Sequence, residues 1–169
     1  NGPMRVSFLG SGDAFGSGGR LQTCFHVAAG EARFLVDCGA TALCALKRFS
    51  VDRNAIQTVL ISHLHGDHFG GLPFLLLDAH FVARRRAPLT VAGPPGLRRR
   101  LAQAQEVFFP GSAALELGFP LELVELPARA PTALGALSVT PFEVDHPSGA
   151  PAFALRVEAG DRTLAYSGD

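Results

Sequence analysis

Four side chains able to bind a transition metal fall within six residues of one another: His63, His65, Asp67 and His68. Imidazole suits zinc and other transition metals, and a carboxylate adds a hard, charge-neutralising donor. One histidine in such a loop is ordinarily structural. Three with an aspartate at this spacing point to a metal site. In a tight loop alternate residues face the same way, so His63 and His65 reach one ion while Asp67 and His68 turn toward a second. Gly66 is expected to free the backbone for that turn, and Gly70-Gly71 to bend the chain into the next helix. Rival chemistries lack their residues. The glycine-rich stretch 10–19 has no Gly-Lys-Ser/Thr for phosphate, and Phe15 stands where a dinucleotide fingerprint needs glycine. That stretch is expected to shape one wall of the active-site cleft. No serine nucleophile elbow is present.

Such ligands need a stiff support, and the flanking sequence supplies one. Residues 58–61 are apolar and β-branched, the pattern of a strand buried on both faces, and the histidine loop follows at once. Residues 71–82 read as a helix, with Pro73 tolerated in its first turn. Upstream, 4–9 reads as a strand, 24–28 and 32–36 as a hairpin, and 41–49 as a helix capped by Thr41. Downstream, 89–92 reads as a strand and 95–109 as a helix. The rest reads as strands at 121–126, 136–144, 152–158 and 162–166, the last two joined at Gly160-Asp161. This order predicts an α/β (α+β) protein with packed sheets and helices outside. No repeat or linker divides residues 4–169, so one domain is expected. Asn1-Gly2-Pro3 reads as an artificial leader.

With 169 residues, 47% apolar and 18% charged, the chain can bury a real core. Fifteen basic residues balance fifteen acidic ones, which removes a global electrostatic case for nucleic acid or membrane. Two local runs remain, Arg84-Arg85-Arg86 and Arg98-Arg99-Arg100. Solvated surface is the plain expectation for them, and a patch for a phosphate-bearing substrate the sharper one. Three cysteines without a Cys-x-x-Cys pair predict reduced thiols and a cytoplasmic protein. No apolar run reaches the roughly 18 residues of a membrane span. His26 and His80 fit no motif and read as structural.

Residues Ser62-His63-Leu64-His65-Gly66-Asp67-His68-Phe69-Gly70-Gly71 resemble the H-x-H-x-D-H signature of the metallo-β-lactamase superfamily. Carried on through Leu72-Pro73, the segment resembles the RNase Z and phosphodiesterase branch. Three further motifs are similar to that branch: Phe8-Leu9-Gly10-Ser11-Gly12, Leu35-Val36-Asp37-Cys38-Gly39 and Ser167-Gly168-Asp169. The resemblance runs from Met4 to Asp169. It implies the metallo-β-lactamase αββα sandwich, of which this sequence would be the N-terminal part. It also implies that His63, His65 and His146 hold a first metal and Asp67 and His68 a second. Asp169 would bridge both, and Asp37 would stand behind them orienting a histidine. Two zinc ions are expected, with manganese or iron as alternatives.

The implied chemistry is two-metal hydrolysis. Ions roughly 3.5–4 Å apart lower the pKa of a shared water and polarise the attacked centre, and Asp67 is expected to accept a proton. The sequence departs from the family pattern twice. The family supplies a further histidine to the second metal after the bridging aspartate, and none follows His146 here. The expectation is the front part of a longer protein, which binds at least one metal but turns over poorly or not at all. Only 22 residues separate His146 from Asp169, where RNase Z carries a long tRNA-gripping arm. That argues against tRNA and for a small or nucleotide-like phosphodiester. Hydrolysis of an ester, thioester or lactam on the same metals is one alternative. An inactive metal-binding module, completed by a partner, is another. Exposed apolar sheet surface on such a part-fold would favour a homo-oligomer.

Overall fold

In the computed structural model, which describes residues 2–169, the apolar runs resolve into two sheets. Of the first three residues, Asn1 lies outside the described residues, and Gly2 and Pro3 are exposed. The larger sheet holds β1 (Met4–Gly10), β2 (Cys24–Ala29), β3 (Ala32–Val36), β4 (Thr58–Leu60), β5 (Leu89–Gly93) and β6 (Leu121–Glu125), in that spatial order. β1 to β3 pair antiparallel and β3 to β6 parallel. Parallel neighbours need crossovers, and helices provide them. α1 (Ala42–Arg48) joins β3 to β4, α2 (Gly66–Phe69) and α3 (Leu72–Phe81) join β4 to β5, and α4 (Leu97–Phe108) joins β5 to β6. The smaller sheet is antiparallel. It contains β7 (Thr132–Leu134), β8 (Leu137–Val144), β9 (Ala152–Ala159) and β10 (Arg162–Tyr166), ordered β10-β9-β8-β7.

Side chains alternate across each strand, and this alternation builds two cores. On one face of the larger sheet, Leu35, Val59, Ile61 and Val91 pack against Leu46, Leu72, Leu76, Leu97 and Leu101 of the helices. On the other face, Phe34, Val36, Leu60 and Ala92 pack against Val139, Phe153, Leu155 and Val157 of the smaller sheet. β3, β4 and β5 are therefore buried on both faces, which is why their sequences are nearly unbroken runs of apolar residues. Helices, sheet and sheet make three layers of an αββα sandwich. The outward face of the smaller sheet carries Ser138, Thr140, Arg156, Glu158 and Thr163, which lie opposite one another in register. An ion pair of 2.9 Å joins Arg156 to Glu158. Phe142, Ala154 and Ala165 share that face, so the sheet surface is mixed rather than uniformly apolar. No helix among the described residues is long and apolar enough to cross a membrane.

Packing accounts for elements that local propensity alone would not hold. The seven residues of α1 are too few to persist in isolation, and burial of Ala42, Ala45 and Leu46 fixes them. Thr41 sits at the N-cap position but does not cap. Its Oγ1 accepts from the Gln22 amide at 2.8 Å and ties the preceding loop to the helix. In α3, the buried Asp78 is paired with Arg53 at 2.7 Å and Lys47 at 3.1 Å. Of the two arginine runs, Arg84, Arg86, Arg98 and Arg99 are exposed, as solvated surface would be, and Arg85 is the exception. Arg85 is 3% exposed, and its guanidinium donates to the carbonyls of Arg53, Ile56, Ala87 and Pro88. These carbonyls lie ahead of β4 and β5, at the sheet edge opposite the histidine loop. Arg98 donates to Leu123 O at 2.7 Å, and Arg100 braces the histidine loop through Leu64 O at 3.2 Å.

Candidate metal centre

β3, β4 and β5 run parallel, so their C-terminal ends share one edge. β8 and β10 both run antiparallel to β9 and end at that same edge. There Phe153 N donates to Ser62 O at 2.9 Å and joins the two sheets. Each of four strands leads into a candidate residue: Asp37 after β3, His63 after β4, His146 after β8 and Asp169 after β10. His63 and His65 precede the winding of α2, and His65 is extended at ψ 150°. Beyond it the loop winds into the single turn α2, which carries Asp67 and His68. Alternation therefore serves only the first two of these ligands, and helical winding turns the next two. Gly66 adopts no left-handed φ, so the freedom expected of it is not used. The glycine that matters is Gly71. Its N–H donates to Cys38 O at 2.9 Å, and a Cβ there would strike the carbonyl oxygens of Gly39 and Cys38. Gly168, at φ 66°, plays the same part beside Asp169, because a Cβ would lie 2.7 Å from Phe153 O.

All seven residues singled out by sequence converge. The ligand atoms of His63, His65 and His146 form one group and those of His63, His68 and Asp169 another, each within 4.8 Å. His146 Nε2 faces His65 Nδ1 at 3.1 Å. Asp169 spans the two groups, with Oδ1 3.2 Å from His68 Nε2 and Oδ2 3.8 Å from both His63 Nε2 and His146 Nε2. Asp67 Oδ2 stands 3.3 Å from His68 Nε2. His63 Nε2 is buried and, among the described residues, is the one such side-chain atom without a hydrogen-bond partner. A buried nitrogen left without a partner is costly, and a cation at the centre of this ring of donors would satisfy it. The cluster suits divalent metal ions.

Asp37 fixes which ring nitrogens face inward. It is fully buried, with φ 60°. Its Oδ1 accepts from Ser62 N at 2.7 Å. Its Oδ2 accepts from Ser62 Oγ at 2.8 Å, His68 Nδ1 at 2.6 Å and Tyr166 Oη at 2.9 Å. With Nδ1–H committed to Asp37, His68 presents Nε2 to Asp67 and Asp169. The Ser62 hydrogen is also committed to Asp37, so the hydroxyl oxygen, 3.0 Å away, accepts from His63 Nδ1 and leaves His63 Nε2 with its lone pair. Burial and the neighbouring charge of His68 lower the His63 pKa to about 4, despite Asp37 and Asp169. In His68, burial opposes the charge. The hydrogen bond and charge of Asp37, with Asp169 and Asp67, outweigh it and raise the pKa. Burial and Asp37 push the Tyr166 phenol well up, so it stays a donor. Ser62 and Tyr166 were not assigned from sequence. Their positions directly before His63 and before Ser-Gly-Asp were the available signal. His80, read as structural, accepts from Gly118 N at 2.9 Å.

A cleft of about 500 Å³ opens onto this cluster. It is lined by His65, Asp67, His68, His146 and Asp169 together with Ser11, Gly12, Asp13, Ala14 and Phe15, so the first half of the glycine-rich stretch borders the cleft.

The family model described as Anti-Pycsar protein Apyc1 matches residues 4–169. The ribonuclease Z of Ignicoccus hospitalis is 32% identical over 160 residues, which are 94% of this chain and 50% of that protein. The short form of human tRNase Z superposes with a TM-score of 0.74 at 27% identity, over 97% of this chain and 68% of that one. The metallo-β-lactamase fold protein YhfI of Bacillus subtilis gives a TM-score of 0.74 at 22% identity, over 99% and 64% respectively, and shows the fold alone. The chain thus spans about half the length of the Ignicoccus ribonuclease Z.

Proposed function

Because this chain belongs to the family described as Anti-Pycsar protein Apyc1, an RNase Z-like part of the metallo-β-lactamase superfamily, we propose that the protein is a metal-dependent phosphodiesterase. Its substrate is a small or nucleotide-like phosphodiester. The observation that carries the reading is the unpartnered His63 Nε2 at the centre of a His/Asp cluster that opens into a cleft. His63, His65 and His146 would hold one ion, Asp67 and His68 a second, and Asp169 would reach both. Bound divalent ions supply Lewis acidity toward a phosphoryl oxygen and activate water. The chain's own residues do the rest. Asp37 and Ser62 hold the histidines in the tautomers that aim lone pairs inward. Asp67, part-exposed in the cleft, would accept a proton from an attacking water.

Three histidines favour zinc, and the carboxylates admit manganese or iron. The relatives named ribonuclease Z support a phosphodiester over a lactam or thioester. The short interval between His146 and Asp169 favours a small substrate over tRNA, while the same relatives weigh the other way. Three free thiols support a reducing compartment, the cytoplasm. The test combines elemental analysis with hydrolysis of bis-p-nitrophenyl phosphate, a pre-tRNA, p-nitrophenyl acetate and nitrocefin. Chelator-sensitive cleavage of the phosphodiester by the full-length protein, lost in His63→Ala, is expected. Metal-dependent turnover of the acetate or nitrocefin with none of either phosphodiester would refute the reading. Cleavage of the pre-tRNA in preference to the small diester would refute its substrate size.

A further inference from the structure

The ligands of the proposed first ion sit on two loops. His63 and His65 follow β4, and His146 stands on the connection 145–151 between β8 and β9. The loops meet at His146 Nε2 and His65 Nδ1, 3.1 Å apart. Arg100, in the first turn of α4, touches both loops. Its Nη1 donates at 3.2 Å to Leu64 O, between His63 and His65. Its Nη2 lies over Gly149, where an added Cβ would stand only 2.8 Å from it. Gly149 holds φ 75°, so the turn presents a bare Cα to the guanidinium. The support is firm. Glu125 Oε1, at the end of β6, accepts from Gly96 N at 2.8 Å and Arg98 N at 3.3 Å and pins the start of α4. Leu64 and Leu97 are buried in one core, and Ala150 packs against it. A cation is an unexpected choice beside a metal site, since its charge opposes the binding of other cations. What a guanidinium offers instead is a rigid planar fork whose two ends meet different partners at once.

We propose that Arg100 is a positioning residue: its guanidinium ties the histidine loop to the His146 loop and so sets the distance between His65 and His146 at the first metal position. The assignment rests on the reading of His63, His65 and His146 as ligands of one ion, and not on the reaction which that ion serves. Arg100 acts through the two loops and takes no part in the chemistry.

The sign of the effect separates this role from a purely electrostatic one. Removing a positive charge alone would leave zinc affinity unchanged or raise it. In the full-length protein, Arg100→Ala should instead weaken zinc binding by about tenfold, the low end of the roughly 10- to 100-fold seen when a residue behind a metal ligand is changed. Competition with a chromophoric chelator measures it. Arg100→Lys keeps the charge but cannot span both loops, and should stay at least about threefold weaker than wild type. Arg98→Ala loses a bond from the same helix to Leu123 O, and should bind zinc within about twofold of wild type. In a His146→Ala background the two loops no longer share an ion, so adding Arg100→Ala should change affinity by less than about twofold. Four results would each overturn the assignment: unchanged or tighter zinc binding in Arg100→Ala, full recovery by Arg100→Lys, an equal loss in Arg98→Ala, or an equal loss in the His146→Ala background. If the wild-type protein binds no zinc, the metal reading fails, and the metal-free protein decides the role of Arg100. There the hydrogen bond between His65 and His146, read by long-range ¹H–¹⁵N correlation, should be lost in Arg100→Ala and kept in Arg98→Ala. Its persistence in Arg100→Ala would overturn the assignment.

Discussion

Replacing Asp37 by asparagine keeps the shape of the side chain and removes one acceptor. The substituted amide would keep its carbonyl oxygen toward Ser62 N and present an NH2 group where Oδ2 now takes three donors, from Ser62 Oγ, His68 Nδ1 and Tyr166 Oη. The two hydroxyls can rotate and accept from that NH2. The imidazole cannot. To accept at Nδ1 it must move its proton to Nε2, the atom that faces Asp67 and Asp169, and so lose the lone pair a metal would use. One hydrogen bond to a charged group, about 1.5–3 kcal/mol, is therefore the size of the effect. That corresponds to roughly 10- to 150-fold in metal affinity. It agrees with the roughly 10- to 100-fold usual when a residue behind a metal ligand is changed. Competition with a chromophoric chelator measures the affinity, and long-range ¹H–¹⁵N correlation reads the His68 tautomer. An Asp37→Asn protein that binds metal within about twofold of wild type, with Nδ1 of His68 still protonated, would refute this account of the network.

Other perturbations test the scaffold. Gly71→Ala should destabilise by about 1–3 kcal/mol in denaturant titration, because the carbonyls of Gly39 and Cys38 that its Cβ meets are backbone and cannot rotate aside. Arg85→Ala should cost roughly 2–4 kcal/mol by the same measurement, since four carbonyls lose their donor. Its metal content should be unchanged, because the site lies at the other sheet edge. Among the thiols, burial raises Cys24 to about 12 and Cys38 well above the ordinary value, whereas Cys44 is exposed. A thiolate is the reactive form, so Ellman's reagent should titrate one thiol in the native protein near neutral pH and all three after unfolding. Rapid modification of two or more in the native state would contradict the burial.

What could be read from the sequence divides by distance along the chain. His63, His65, Asp67 and His68 are close neighbours, so spacing alone groups them. His146 lies 81 residues from His65, its partner at 3.1 Å, and no local pattern links the two; only the family resemblance pointed to it. Ser62 and Tyr166 went unassigned because the role of a hydroxyl depends on what faces it, here one carboxylate. The strands were legible because two-sided burial leaves β3, β4 and β5 nearly without polar residues. β7, three residues long, and the single turn α2 are too short to show a period. Arg85 misled for a related reason. A run of charge reads as surface, and the backbone carbonyls that neutralise its desolvation come from four separate residues.

The hydrogen bond from Tyr166 to Asp37 closes a loop 129 residues apart in sequence, and this bears on the order of events during synthesis. A ribosome delivers β3 and the histidine loop long before β10. Through most of translation, Asp37 therefore lacks one of its donors, and His63, His65 and His68 lack Asp169. The nascent chain presents the local histidine loop first and the full donor ring only when the second sheet docks. If the ring holds metal, loading is expected to follow completion of the sandwich, and metal retained by a ribosome-bound chain should rise abruptly once β10 clears the exit tunnel. Metal content would then double as a reporter of long-range folding.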